Sequence, residues 1–263
     1  MILLDGIPLR KWGIEIQREH DHPAIPEIRR KTMTIPGMPG EWDFGSELGQ
    51  RSFTFPLGFI EYDQYKKQRR LNDFVAFLFD SNGRPRELNL TFDYEPDKYY
   101  QVKIANGFTP QRIFGFSFFE LTLLASNPNK NFILPSSQIK MGSKIPIMSH
   151  IKWGTGSSNR IITFPETIKV INNGTISIPF SFRLEGRGNN VSISANGKTM
   201  TLGSFLNKVF EVTDNYIVKV DGINDLTSTN GVFLDLLPGV NEIHVDGTNL
   251  DLKISEDLIY QYI

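Results

Sequence analysis

Apolar and polar side chains alternate every second residue through much of this chain, punctuated by glycine-bearing dipeptides, and that pattern most constrains its fold. Ile176, Ile178, Phe180, Phe182 and Leu184 alternate without a break against Thr175, Ser177, Pro179, Ser181 and Arg183. A period of two puts the apolar set on one face of a strand and cannot build the stripe of an amphipathic helix. Shorter alternating runs occur at Val191-Ser192-Ile193, residues 216–220, Ile243-His244-Val245 and residues 250–254. Turn chemistry falls between them at Asn173-Gly174, Asn196-Gly197, Asp221-Gly222, Asn230-Gly231, Pro238-Gly239 and Asp246-Gly247. Short strands at this spacing predict a β-sandwich or jelly roll for the second half. Pro179 has no N–H for a ladder, so its run belongs at an edge or a bulge.

The first half carries one helical pattern. Across residues 61–79, Tyr62, Tyr65, Leu71, Phe74, Val75 and Leu78 recur at three-to-four spacing, with Lys66, Lys67, Arg69 and Arg70 assigned to a solvated face. Asp80-Ser81-Asn82-Gly83 supplies the stop. Strands surround this helix. Leu88, Leu90 and Phe92, then Tyr100, Val102 and Ile104, predict a half-buried antiparallel pair joined through residues 94–98. The strand of residues 114–124 has two apolar faces: Phe114, Phe116 and Phe118 share one, and Phe119, Leu121 and Leu123 the other. Either a bulge near Phe118-Phe119 re-aims a single face, or both faces are covered, one by the domain core and one by something else. Residues 35–45 are too rich in proline and glycine for a central strand. They predict the exposed end of a long hairpin arm carrying Trp42 and Phe44, flanked by residues 29–34 and 51–55.

Length allows one large domain or two smaller ones, and composition favours two. Only four asparagines precede Ser126, against 15 from Asn127 onward, while aromatics thin out. The change coincides with the loop Ser126-Asn127-Pro128-Asn129-Lys130-Asn131, so the boundary is set at 128, giving domains 1–128 and 129–263. A net charge of −1, spread evenly, argues against a nucleic-acid or membrane-surface module. The N-terminal Met1-Ile2-Leu3-Leu4-Asp5-Gly6 lacks a signal-peptide pattern and no apolar run approaches membrane-spanning length, so a soluble chain made in the cytoplasm is expected.

Searches for chemistry return little. The absence of cysteine removes thiol nucleophiles, disulfides and thiolate metal sites. No Gly-x-Ser-x-Gly elbow exists, and the only histidines are His20, His22, His150 and His244. His20-Asp21-His22 is the nearest approach to a metal site, but a third ligand at useful spacing is missing and a polar loop is the commoner reading. His244, on an alternating strand, is expected at the surface. Gly154-Thr155-Gly156-Ser157-Ser158 lacks the lysine and helix of a phosphate loop. Glu41, Asp43 and Glu47 show no glycosidase pairing, and Asp214, Asp221 and Asp225 fit turns better than a calcium loop. Trp153 beside the glycine-serine loop is the one candidate saccharide contact, against the commoner buried tryptophan. No enzyme, cofactor or metal is expected.

Taken in order, several segments resemble a known family. They are Asp5-Gly6 with Gly13-Ile14, the glycine-rich arm, Gly49-Gln50-Arg51, the helix ending Phe77-Leu78-Phe79, Leu88-Asn89-Leu90-Thr91-Phe92, Pro96-Asp97-Lys98-Tyr99-Tyr100 and the aromatic strand before Asn127-Pro128. In the second half the set continues with Asn172-Asn173-Gly174-Thr175, Pro179, Asn196-Gly197 and Pro238-Gly239-Val240-Asn241. This ordered set is similar to the distal tail protein (Dit) family of siphophages and prophages of Gram-positive bacteria. The resemblance implies a mainly β fold: an N-terminal β domain with one helix and a belt-like hairpin arm over about 29–51, then a galectin-like sandwich. It implies a homohexameric ring in the virion's tail tip, joining the tail tube protein to the tail-associated lysin or fibre protein. Receptor-binding or other baseplate proteins would dock on the outer domains during host adsorption. Trp42, Phe44, Phe114, Phe116 and Phe118 then become candidate subunit-interface residues. The competing reading is a carbohydrate-binding module that recognises host cell-wall saccharide through Trp153.

Overall fold

The structure is a computed structural model that describes residues 1–17, 22–140, 142–143, 145–146, 149, 151 and 159–263. The chain divides into two compact units, Met1–Lys130 and Asn131–Ile263. Both are built mainly of strands, and Gln64–Leu78 is the single α-helix among the described residues.

In the first unit the main sheet runs in the order Ile7–Pro8, Ile2–Leu4, Leu88–Phe92, Glu95–Ile104, Phe116–Ala125, Arg51–Ile60 and Glu15–Ile16. The predicted pair is present, with Leu88 opposite Val102 and Leu90 opposite Tyr100. The reversal is tighter than expected, because pairing resumes at Glu95 opposite Phe92. Asp63 caps the helix, its Oδ1 accepting from the N–H groups of Tyr65 (2.9 Å) and Lys66 (3.3 Å). The helix buries Lys67, Leu71, Phe74 and Leu78. Phe74 packs edge-on against Trp12 at 5.4 Å and lies 6.1 Å from Phe119 of the sheet. Two sequence expectations fail here. Tyr62, Tyr65 and Val75 are exposed, whereas Lys67 is buried, because i, i+4, i+7 and i+11 from position 67 make the face that meets the sheet.

No bulge interrupts Phe116–Ala125. It pairs continuously with Arg51–Ile60 from Phe116 opposite Ile60 to Ala125 opposite Arg51. Alternation therefore sends Ser117, Phe119, Leu121, Leu123 and Ala125 into the core and turns Phe116 and Phe118 outward.

The second unit holds a sheet ordered Arg160–Ile162, Gly239–Glu256, Phe182–Ala195, Lys198–Val212, Val218–Val220 and Ile223–Asn224. Glu166–Asn172 also pairs with Gly239–Glu256, and Ile178–Pro179 pairs with Asp235–Leu236 as a separate ribbon. The long alternating run is thus divided between two sheets. Ile178, Phe180, Phe182 and Leu184 are all buried as expected, yet pairing changes partner just after Pro179. Asn196-Gly197 makes a two-residue hairpin turn with φ of 49° and 78°, the pattern of a type I′ turn. Asp246-Gly247 does not reverse the chain. It lies inside the 18-residue strand Gly239–Glu256, where Gly247 takes a φ of 147° beside a register shift in the pairing with Phe182–Ala195. A glycine that allows a turn equally allows a bulge. Asp214 and Asp221 lie in turns, and Asp225 accepts locally from the Ser228 N–H, while Asp221 reaches across to accept from the Val209 N–H.

Candidate subunit interface

Residues 28–48 leave the first unit's sheet and form a ribbon of their own. Ile28–Met33 pairs with Trp42–Leu48 and with no other strand, and every residue of both is exposed. The return strand differs from expectation, since residues 51–55 belong to the core strand Arg51–Ile60 and not to the arm. Trp42 lies opposite Met33, and Ile28 opposite Leu48. Between the pairs Arg30–Ser46 and Thr32–Asp43, Phe44 and Gly45 together face Lys31 alone. This is a β-bulge, with Gly45 at φ 98°. Trp42 and Phe44, two residues apart on one strand, share the face of Met33 near the tip. Trp42 is 55% and Phe44 62% exposed. A Lys31–Glu47 ion pair crosses the ribbon and holds the Glu47 carboxyl below its ordinary pKa, first by hydrogen bonding and then by charge. A two-stranded ribbon is marginal by itself in water, so this one calls for a surface to lie on.

The ribbon's feet are fixed by burial. Gly49 N–H donates to the Glu27 carbonyl at 2.7 Å, and the Arg51 guanidinium is 1% exposed. Arg51 Nη1 donates to Tyr100 Oη at 2.6 Å and to the Ala24 carbonyl at 3.4 Å, with the guanidinium 5.1 Å from the Tyr100 ring centroid. Burial pushes the Tyr100 hydroxyl up to about 12, against the opposing charge of Arg51.

The second exposed surface is the outward face of the strand pair Phe116–Ala125 and Arg51–Ile60. Phe116 stacks parallel to Phe118 with centroids 6.1 Å apart, and the exposed Ile60 lies opposite Phe116. Gly58, opposite Phe118, keeps a groove of about 420 Å³ open, since a Cβ there would come within 2.7 Å of Gln17 Nε2 and 3.0 Å of Phe118. At the strand's start the turn through Gly115 lifts Phe114 to 82% exposure, edge-on to the exposed Tyr62 at 5.9 Å. Phe116 and Phe118 thus lie on the outward face at the start of an interior strand, with Phe114 just before it, and Trp42 and Phe44 lie on the separate ribbon. Ile60, Met33 and Gly58 escaped sequence reasoning, because only the pairing register brings them to these surfaces, and Tyr62, expected on the helix's apolar face, meets Phe114 instead.

His244 is exposed and within 2.7 Å of Thr167 Oγ1. His22 stacks on Phe92 at 5.0 Å, with Tyr94 Oη 2.9 Å from its Nε2. Trp153, the loop 154–158, His20, Asp21 and His150 lie outside the described residues. Among the described residues no group of three His, Asp or Glu side chains is placed to hold a metal ion.

Residues 7–125, almost the whole of the first unit, match the family described as phage tail protein RIFT-related domain. The first unit is thus similar to the phage tail domains of that family. The Dit fold, moreover, extends beyond this tail domain to the entire chain. The crystal structure of the SPP1 Dit (gp 19.1) protein, described as a paradigm of the hub adsorption apparatus in phages infecting Gram-positive bacteria, aligns over 100% of this chain and 98% of its own, with a TM-score of 0.70 at 15% identity. Chains of the phage p2 baseplate in its activated conformation, with Ca and with Sr, align over 93% and 94% of this chain and 90% of theirs, at 12% and 11% identity and TM-scores of 0.39. No curated protein sequence matches the chain.

Proposed function

We propose that this chain is a structural hub of a siphophage tail tip, whose tail domains close into a hexameric ring. One observation carries the reading: the tail domain presents two different apolar surfaces, a ribbon that pairs with no sheet of its own and an outward sheet face lined by Phe116, Phe118 and Ile60. Surfaces that differ join head to tail, and such heterologous contacts close into rings when the rotation allows. Trp42 and Phe44 anchor the ribbon on the neighbouring copy, and Phe114, Phe116 and Phe118 belong to the receiving face. The ring joins the tail tube to the tail-associated lysin or fibre, while the second units carry receptor-binding or other baseplate proteins. The shared fold with SPP1 Dit supports the same kind of role here, in the virion and by assembly instead of catalysis.

Light scattering on the purified chain tests this directly. A species of about six chain masses, seen as rings by negative-stain microscopy, is the expected outcome. A strict monomer at the highest attainable concentration would refute the ring.

A further inference from the structure

The second unit has a pocket that the tail role leaves unused. Three neighbouring strands lose their register at one level. In Phe182–Ala195 the pairing shifts around Gly188 and Asn189, and in Gly239–Glu256 around Thr248. Lys198–Val212 takes positive φ at Gly203 and Asn207 on the same stretch. At this level lies an open surface groove of about 800 Å³, within the range that holds small ligands. Gly188 forms part of its lining, and a Cβ there would come within 2.5 Å of Val191 Cγ2.

The lining chemistry is specific. Phe205 and Leu250 form a buried apolar wall, with Leu206 exposed at the lip. Asn189 and Asn249 bring side-chain amides from two strands, and among the described residues neither makes a side-chain hydrogen bond. Arg187 lies 3.4 Å from the Asp251 carboxylate, so the site's one cation is neutralised. Ser204 Oγ already accepts from the Asn190 N–H at 3.0 Å and keeps a hydroxyl hydrogen to donate. Free amides that both donate and accept, a neutralised ion pair and an apolar wall suit a neutral ligand with hydroxyls on its rim and C–H groups on its face. Another pocket of this unit is lined by Glu211, Asp214, Glu256 and Asp257 against Arg183 and Lys140, a charge pattern that suits a neutral ligand poorly.

We infer that this pocket binds a pyranose unit of a neutral saccharide, held by Asn189, Asn249 and Ser204 against Phe205 and Leu250. The inference stands apart from ring assembly and from Trp153. Saturation-transfer NMR on the full chain tests it, with methyl glycosides of glucose, galactose, mannose, N-acetylglucosamine and N-acetylgalactosamine as probes. Saturable transfer to at least one glycoside is expected. It should fall at least about fivefold in Asn189→Ala or in Ser204→Tyr, which fills the pocket from an exposed position, in a variant that melts like the parent. Asn249 is left unchanged because its φ of 53° favours asparagine. No transfer to any of the five glycosides, or undiminished transfer in both variants, would overturn the assignment. Because the readout does not depend on oligomeric state, a failed sugar test leaves the ring proposal standing, and the reverse holds too.

Discussion

Replacing Trp42 by alanine separates assembly from folding. The side chain is 55% exposed and lies on a ribbon that pairs with no other strand among the described residues, so its loss removes little from the isolated unit. Stability of the monomer should change by no more than about 0.5 kcal/mol, the usual range for a surface substitution. Assembly should respond differently. A tryptophan offers up to about 250 Å², so roughly 140 Å² remains for a partner to cover. At about 25 cal/mol per Å² that surface contributes about 3 kcal/mol to each contact, or roughly a hundredfold in affinity. Sedimentation velocity over a dilution series reads the second quantity. Urea unfolding, at a concentration where the chain is monomeric, reads the first. Phe53→Ala is the control, because Phe53 is fully buried in the core and should cost about 3–5 kcal/mol of unfolding free energy. A Trp42→Ala chain that unfolds at clearly lower urea would mean that Trp42 packs on its own unit. An unchanged dilution midpoint would mean that no partner covers it. Either result would refute the reasoning.

Three further predictions concern stability. Asp63→Ala removes the carboxylate that caps the helix and should lower unfolding free energy by about 1 kcal/mol in chemical denaturation, while Asp63→Asn should lose less. Gly197→Ala adds a Cβ that meets nothing within 4 Å, yet φ is 78°, so a loss of about 1–2 kcal/mol would come from backbone conformation alone. Tyr100 holds its proton more tightly folded than unfolded, so its contribution is complete below pH 10 and is lost as pH rises toward about 12. Tyr100→Phe should flatten that alkaline decline in urea midpoints measured from pH 9 to 12, and a decline equal to that of the parent would count against the assignment.

The fold was legible where one local signal decided it. Alternation placed Ile178, Phe180, Phe182 and Leu184 on one buried face, and Asn196-Gly197 fixed a hairpin without tertiary help. It was illegible where glycine had two meanings. Asp246-Gly247 and Gly203 sit inside long strands, and neither Lys198–Val212 nor Glu166–Asn172 stood out in the sequence. The candidate surfaces divide in the same way. Excess aromatics in residues 114–124 signalled a second face, but the choice between a bulge and an outward face needed the unbroken register with Arg51–Ile60. Lys67 shows the converse limit. Residue type assigned it to solvent, while its place on the helix put it against the sheet.

The ribbon is covalently continuous with Arg51–Ile60, a strand that matches its neighbour residue for residue over its full length. A pull on the ribbon reaches that strand through Gly49 and Gln50, and the component along the strand's axis loads the hydrogen bonds across the ladder in shear, all together instead of one after another. The buried Arg51 stands at the point where such a force enters. If neighbouring copies hold one another by their ribbons, the seam that carries mechanical load between them ends in the toughest direction this domain possesses.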